Sequence, residues 1–496
     1  MIINLNDYRD KVLGCWMGKN IGGTLGMPTE WKRQINDVTF YTQDLHGEPL
    51  PNDDLDIQLL WLRALEDHGP YIGTQMLSEY FLSFVTAHCA EYGTSKVHMR
   101  AGLMPPVNSI YDGYRDSCGA FIRSEIWACI APGCPELAAR YAYEDAIIDH
   151  GSGEGIYAEL FTATVESAAF VEKDTDKLIE IGLSYIPKDC GVACAVRRVV
   201  ECYKNGMSRL ETRDTILKEY RGHYAAWEGA GISQRDRDMG FADGKIGYDA
   251  PSNIAMIIIG WLYGEGDFAK SICIAVNCGE DTDCTAATLG SILGILSGIQ
   301  GIPKKWITPI GRGIKTMMLA DFDVGRVPQD IDDLSNRVER IAKMTLLAFR
   351  PDVVLHETQA TNIAKDETDK LFNQAGNHIL RNMHGPIYQS GFLNCLIEYP
   401  DGPVIRDGGK AKVNVRVGMN LQHGVMIHMK WYLPEGFTIS PYATGLINCP
   451  YESEPIEFII SAEGKVEAIN RFVIELTAPG RHTVALFPVV LINMHE

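Results

Sequence analysis

The chain has 496 residues, 46% of them hydrophobic, with a formal net charge of −19. That length allows two or three domains with a large core, and the acidic balance excludes the basic footprint of a nucleic-acid binder and disfavours an anionic membrane surface. Thirteen scattered cysteines with no CxxC pair read as reduced thiols rather than a disulfide framework or a structural zinc, and no signal peptide or membrane span is read from the chain, so a cytoplasmic protein is expected.

From residue 8 to about 345 the pattern predicts helices. Near the start, "GKNIGGTLGMPTEW" reads as a glycine-rich loop tipped by Glu30; no strand precedes it, so it is not a nucleotide fingerprint. "DIQLLWLRALEDH" carries apolar residues at 57, 60, 61 and 64, the period of an amphipathic helix. "CPELAARYAYEDAIIDH", "GIYAELFTATVESAAFV", "DKLIEIGLSYI", "CGVACAVRRVVECYKNG" and "SRLETRDTILKEY" follow at helical spacing, the fourth stopping at Gly206. "NIAMIIIGWLYG" reads as a buried helix.

After about residue 350 a polar connection leads into short alternating runs: "KVNVRVGM", "GVMIHMKWYLP", "IEFIISA", "NRFVIELTAP" and "HTVALFPVVLI". Gly/Pro turns separate them, which predicts a β-sandwich. The expected fold class is therefore multidomain α and β: an all-α domain over residues 1–350, then a smaller all-β sandwich over 370–496.

Two acidic stretches carry the chemistry. "NCGEDTDCTAA" places Glu280, Asp281 and Asp283 between apolar flanks, and "PNDDLDIQLL" places Asn52, Asp53, Asp54 and Asp56 at the head of an apolar helix. Alone, the second reads as a helix cap. Together they ask for compensation, because buried ionised carboxylates are costly unless paired. Lys and Arg are scarce in both motifs, and an all-oxygen set favours magnesium or manganese. Residues two apart on a helix face different ways, so Asp281 and Asp283 converge only in a turn or an irregular helix start, which Gly279 permits. Two further segments are open to two readings. Arg123, in "CGAFIR", either grips a phosphate or carboxylate or pairs internally. His150, in "DHGSGEG", either contacts a substrate or ends a helix, with Gly151 and Gly153 breaking the chain before Glu154.

These motifs, in the order "GCWMGKNIGGTLGMPTEW", "NDDLD", "CGAFIR", "DHGSGEG", "GEDTDCTAA" and "IPKKW", resemble the ADP-ribosylglycohydrolase family over about residues 8–345. The resemblance implies an all-helical domain holding one or two Mg (or Mn) ions, and hydrolysis of a glycosidic bond. It implies metal ligands at Asn52, Asp53, Asp54, Asp281 and Asp283, and catalytic roles for Glu30, Asp54 and Asp283. It also implies a substrate cleft lined by Gly119, Arg123, His150 and Glu154. The expected substrate is a small ADP-ribosyl compound or a related ribosyl or furanosyl glycoside. The β-rich tail lies outside the basic family fold and is expected to be an accessory or an oligomerising domain, or to contribute to a cleft for a different glycoside. This chain departs from the family pattern in three places. Asn52 and Leu55 stand where the first metal motif has threonines, Glu280 and Cys284 replace the second glycine and the final threonine of the last, and "GGTLG" lacks the aspartate of Gly-Asp-Ala-Leu-Gly. Two other function classes compete: a binding protein that kept the fold, and an aspartate-rich helical synthase acting on diphosphates.

Overall fold

The computed structural model describes residues 1–30, 34–110, 112–220, 234–238, 248–319, 327–374, 376, 380, 385–421, 424–449 and 451–493. They divide into two compact units: Met1–Gly93 with Asp112–Ile379, and Thr94–Tyr111 with Leu380–Glu496.

The first unit is helical. The "GKNIGGTLG" run is not a loop but the second half of a long helix, α1 (Leu5–Gly26). The physical reason is its partner, the helix Thr282–Gly301. Gly14, Gly18, Gly22 and Gly26 recur every fourth residue, forming one stripe along α1. A Cβ at these positions would overlap the backbones of Gly294, Gly290, Ala286 and Thr282 in turn. The descending order makes the two helices antiparallel, packed backbone against backbone. Glycine is tolerated inside α1 because close packing outweighs its propensity cost of about 1 kcal/mol per residue. This packing puts the C-terminal end of α1 beside the N-terminal end of Thr282–Gly301.

The Thr282–Gly301 helix is long and apolar enough to cross a bilayer by length and composition, but 72% of that window is buried inside the structure. It serves here as a core helix. Ala250–Gly264 is buried on almost every face, as its composition predicts. The amphipathic segments form helices at Asp53–His68 (α2), Pro135–Ala146, Glu154–Ala169, Thr175–Ser184, Gly191–Lys204 and Arg209–Tyr220. A further helix, Ile331–Phe349, completes the unit. The polar stretch after residue 350 also contributes structure: β2 (Val354–His356) pairs in parallel with β1 (Ile2–Asn4).

The second unit is built from two antiparallel sheets. One has four strands in the order Val484–Ile492, Ile469–Thr477, Val425–Tyr432, Thr444–Cys449. The other has five, in the order Ile387–Ser390, Leu393–Glu398, Lys410–Met419, Ile456–Ala462, Phe437–Ser440. Alternate residues such as Val413, Val415 and Val417 face Ile427, Met429, Ile474 and Leu476 in a common core, the arrangement of a sandwich. Leu103 and Val107, from the Thr94–Tyr111 segment, join that core.

Candidate metal centre

Three chain segments of the helical unit deliver the acids. The first follows α1. A short turn, Met27–Thr29, leads to Glu30, and Thr29 Oγ1 lies 3.1 Å from Thr282 Oγ1. Thr282 Oγ1 in turn donates to Gly26 O at 2.8 Å, which ties this turn to the next helix start.

The second segment is the head of α2. Asn52 is its N-cap: its side-chain oxygen accepts from Asp54 N at 2.7 Å. Its amide nitrogen donates to Asp283 Oδ2 at 3.4 Å. Both ends of the amide are thus engaged with protein. The space it fills is open because residue 23 is a glycine; a Cβ there would overlap Asn52 Nδ2. The two departures from the family pattern, at 23 and 52, therefore belong together. Asp56 Oδ2 accepts from Met317 N and Met318 N at 2.7 and 2.6 Å.

The third segment is the turn before Thr282. Gly279 and Glu280 both adopt positive φ, 76° and 68°. For glutamate that is an uncommon, costly conformation. Asp281 follows as a non-helical N-cap with no capping side-chain bond, and Asp283 sits in the first helical turn. The irregular helix start brings together two carboxylates that a regular helix would splay apart.

Oxygens of Glu30, Asp281 and Asp283 lie within 4.8 Å of one another, and so do ligand atoms of Asp54, Asp283 and Cys284. Asp283 belongs to both groups. Asp53 belongs to neither, although its charge helps raise Glu30 and Asp54. Asp54 Oδ2, Asp281 Oδ1 and Asp283 Oδ1 are buried and make no hydrogen bond among the described residues. Burial first, then neighbouring acids, pushes Glu30 up to about 10 and Asp53 up to about 7. Burial raises Asp281 and Asp283 as well. Buried oxygens without partners and mutually repelling carboxyls fit a hard divalent cation. Cys284 is the misfit. Its thiol donates to Asp54 Oδ1 at 3.4 Å, and a thiol is a poor ligand for such an ion.

Among the described residues a cation from outside both motifs, Lys19, reaches the cluster. Lys19 of α1 is 2% exposed. Its ammonium lies 2.8 Å from Glu125 Oε1 and 3.8 Å from Asp54 Oδ2, and donates to Ile122 O at 2.6 Å. Its sequence distance from the acidic motifs hid it.

The four residues expected to line the cleft are each engaged with other groups of the protein. Arg123 is fully buried; Nε donates to Asp145 Oδ1 at 2.8 Å, and its two terminal nitrogens grip both oxygens of Asp149 at 2.8 and 2.7 Å. Burial would raise Asp149, but Arg123 and His150 hold it below the ordinary carboxylate range. His150 Nδ1 donates to Asp149 Oδ1 at 2.7 Å, and Ser117 Oγ lies 3.1 Å from Nε2. Gly119 packs where a Cβ would overlap the Glu91 carboxylate, and its carbonyl accepts from Arg123. Glu154 accepts from Gly191 N and Val192 N at 2.7 and 2.9 Å, capping the Gly191–Lys204 helix. These segments brace the interior through those bonds. Asp149 opens the "DHGSGEG" run, but nothing in that run marked it as the partner of Arg123, and Asp145 and the start of the distant helix were likewise not paired by sequence. Arg123→Met should cost about 3–5 kcal/mol in denaturant unfolding, because two buried carboxylates lose their cation. Arg123→Lys should recover only part of that, since the two-pronged grip is lost. A rise in KM with unchanged stability would instead return Arg123 to the substrate.

A family model described as ADP-ribosylglycohydrolase matches residues 4–342. An uncharacterized protein of Archaeoglobus fulgidus is 25% identical over 311 residues, covering 60% of this chain and 90% of that protein. The ADP-ribosylarginine hydrolase Tri1 of Pseudomonas putida is 27% identical over 130 residues, 26% of this chain and 33% of that protein. A solved structure titled ADP-ribosylglycohydrolase-related protein complex covers 69% of this chain and all of its own, at 18% identity and a TM-score of 0.43.

Proposed function

The chain belongs to the ADP-ribosylglycohydrolase family, and from that premise we propose that it is a metal-dependent hydrolase of a glycosidic bond in an ADP-ribosyl compound or a related ribosyl or furanosyl glycoside. One observation carries the reading. Glu30, Asp54, Asp281 and Asp283 converge from three segments, and three of their buried oxygens make no hydrogen bond among the described residues. Asp281 and Asp283 would hold magnesium or manganese, with the Glu30 and Asp54 carboxylates close by. Such an ion, when bound, binds sugar hydroxyls and stabilises charge at an attacking oxygen.

Glu30 differs from the other three in being partly exposed while they are buried. It is the member placed to meet a substrate. Its carboxylate would orient a water molecule as base, or stabilise the oxocarbenium-like transition state. A reducing, cytoplasmic setting is supported by the thirteen cysteines, all free and mostly buried.

The test is release of reducing sugar from a panel headed by ADP-ribosylarginine, followed by other ADP-ribosyl compounds, nucleosides and furanosides. Turnover of at least one member should stop with chelator and return with manganese or magnesium. Chelator-resistant turnover would remove the metal from the reading. ADP-ribose binding without turnover of any member would mark a binding protein that kept the fold.

A further inference from the structure

We propose that Lys19 stands in for a second metal ion, so that the centre takes a single divalent cation at Asp281 and Asp283, on the side that Glu30 faces; this rests on the metal-centre reading above. The two overlapping groups share Asp283 but differ in what surrounds them. On the Asp54 side both carboxylate oxygens already face proton-bearing groups. The Lys19 ammonium is 3.8 Å from Oδ2, and the Cys284 thiol is 3.4 Å from Oδ1. Asn52, the remaining polar group there, turns its oxygen to Asp54 N and its nitrogen to Asp283. A divalent ion between Asp54 and Asp283 would meet a fixed positive charge, a soft sulfur and an amide already in use.

Lys19 is also held so that it cannot swing away. Its ammonium is bonded to Ile122 O and paired with Glu125. Glu125 is itself fixed by Gln58 Nε2 at 2.8 Å, and Gln58 Oε1 accepts from Ile126 N at 2.8 Å. The other side differs in its donor set. Its three donors are carboxylates, all hard oxygen ligands. Asp281 Oδ1 and Asp283 Oδ1 are buried there without a hydrogen bond among the described residues. A fixed ammonium neutralises charge without coordination, which is the share of a second ion's work that Asp54 needs.

Manganese binding to the chelator-stripped full chain tests this without any assay of activity. Titration calorimetry and native mass spectrometry should count one ion per chain, with the six-line paramagnetic spectrum of an isolated manganese. Lys19→Arg should leave the count at one. Lys19→Met, or Lys19→Met with Glu125→Gln should the single variant fail to fold, should raise the count to two, with a broadened, coupled spectrum. Two ions in the parent chain would overturn the inference and leave the metal centre standing. One ion in the charge-free variant would also overturn it, since Lys19 would not be what excludes the second. No ion in any form would remove the metal centre itself.

Discussion

Asp283→Ala should lower manganese affinity at least about a hundredfold and turnover at least about a thousandfold, while the metal-free protein stays as stable as the parent or gains stability. The size follows from position: Asp283 is the one residue common to both oxygen groups. Losing a second-shell partner already costs about 10–100-fold in metal binding, and a first-shell ligand costs more. A thousandfold in rate is about 4 kcal/mol of barrier, within what a polarising ion supplies. The stability sign separates this from a folding defect. Without an ion, Asp283 is one of several buried acids that raise each other's pKa, so removing it relieves repulsion.

The same linkage sets a pH trend. The folded, metal-free centre holds protons on groups such as Asp53, pushed up to about 7, and Glu30, pushed up to about 10. Unfolded, those groups would release them near pH 4. The folded state therefore binds more protons from about pH 4 upward, and its stability falls as pH rises through that window. An incoming ion must displace these protons, so its affinity should rise over the same interval. Thermal unfolding with and without manganese from pH 5 to 9 would show a widening gap. A constant gap would mean that the ion displaces no protons there.

Gly18→Ala should destabilise the fold by at least about 3 kcal/mol in denaturant unfolding. On an isolated helix the same change would stabilise by about 1 kcal/mol. Packing decides the sign, because the new methyl would fall on the carbonyl of Gly290 where α1 and Thr282–Gly301 run backbone to backbone. Any helix shift that accommodates it also moves Thr282 away from Gly26, and with it Asp283 away from Glu30. Manganese binding should therefore weaken in whatever fraction still folds. Gly113→Ala is the control: its Cβ would meet nothing within 4 Å, and its effect should stay within about 0.5 kcal/mol. Equal stability of the two variants would mean that the helices do not approach as closely as described.

Much of this molecule was legible in its sequence, because local chemistry leaves local patterns. The 3.6-residue period of "DIQLLWLRALEDH" sufficed for α2, and alternation sufficed for strands such as Lys410–Met419 and Ile469–Thr477. Acids set between apolar runs pointed to a compensated anionic centre, and Gly279 pointed to the turn that lets Asp281 and Asp283 converge. What stayed hidden depended on partners far away in the chain. The glycines of α1 look like a loop until the glycine-and-alanine face of Thr282–Gly301 is laid against them. Arg123, His150 and Glu154 carry chemistry suited to a substrate, and only the fold shows Asp149 and the start of Gly191–Lys204 taking it up. Lys19 sits in the glycine-rich run that reads as a loop, and only tertiary packing sets its charge beside Asp54. Residue type and spacing record what a segment can do within a few turns of itself. Which of those capacities are spent inside the protein, and which remain to hold an ion or a sugar, was decided by what the fold places opposite them.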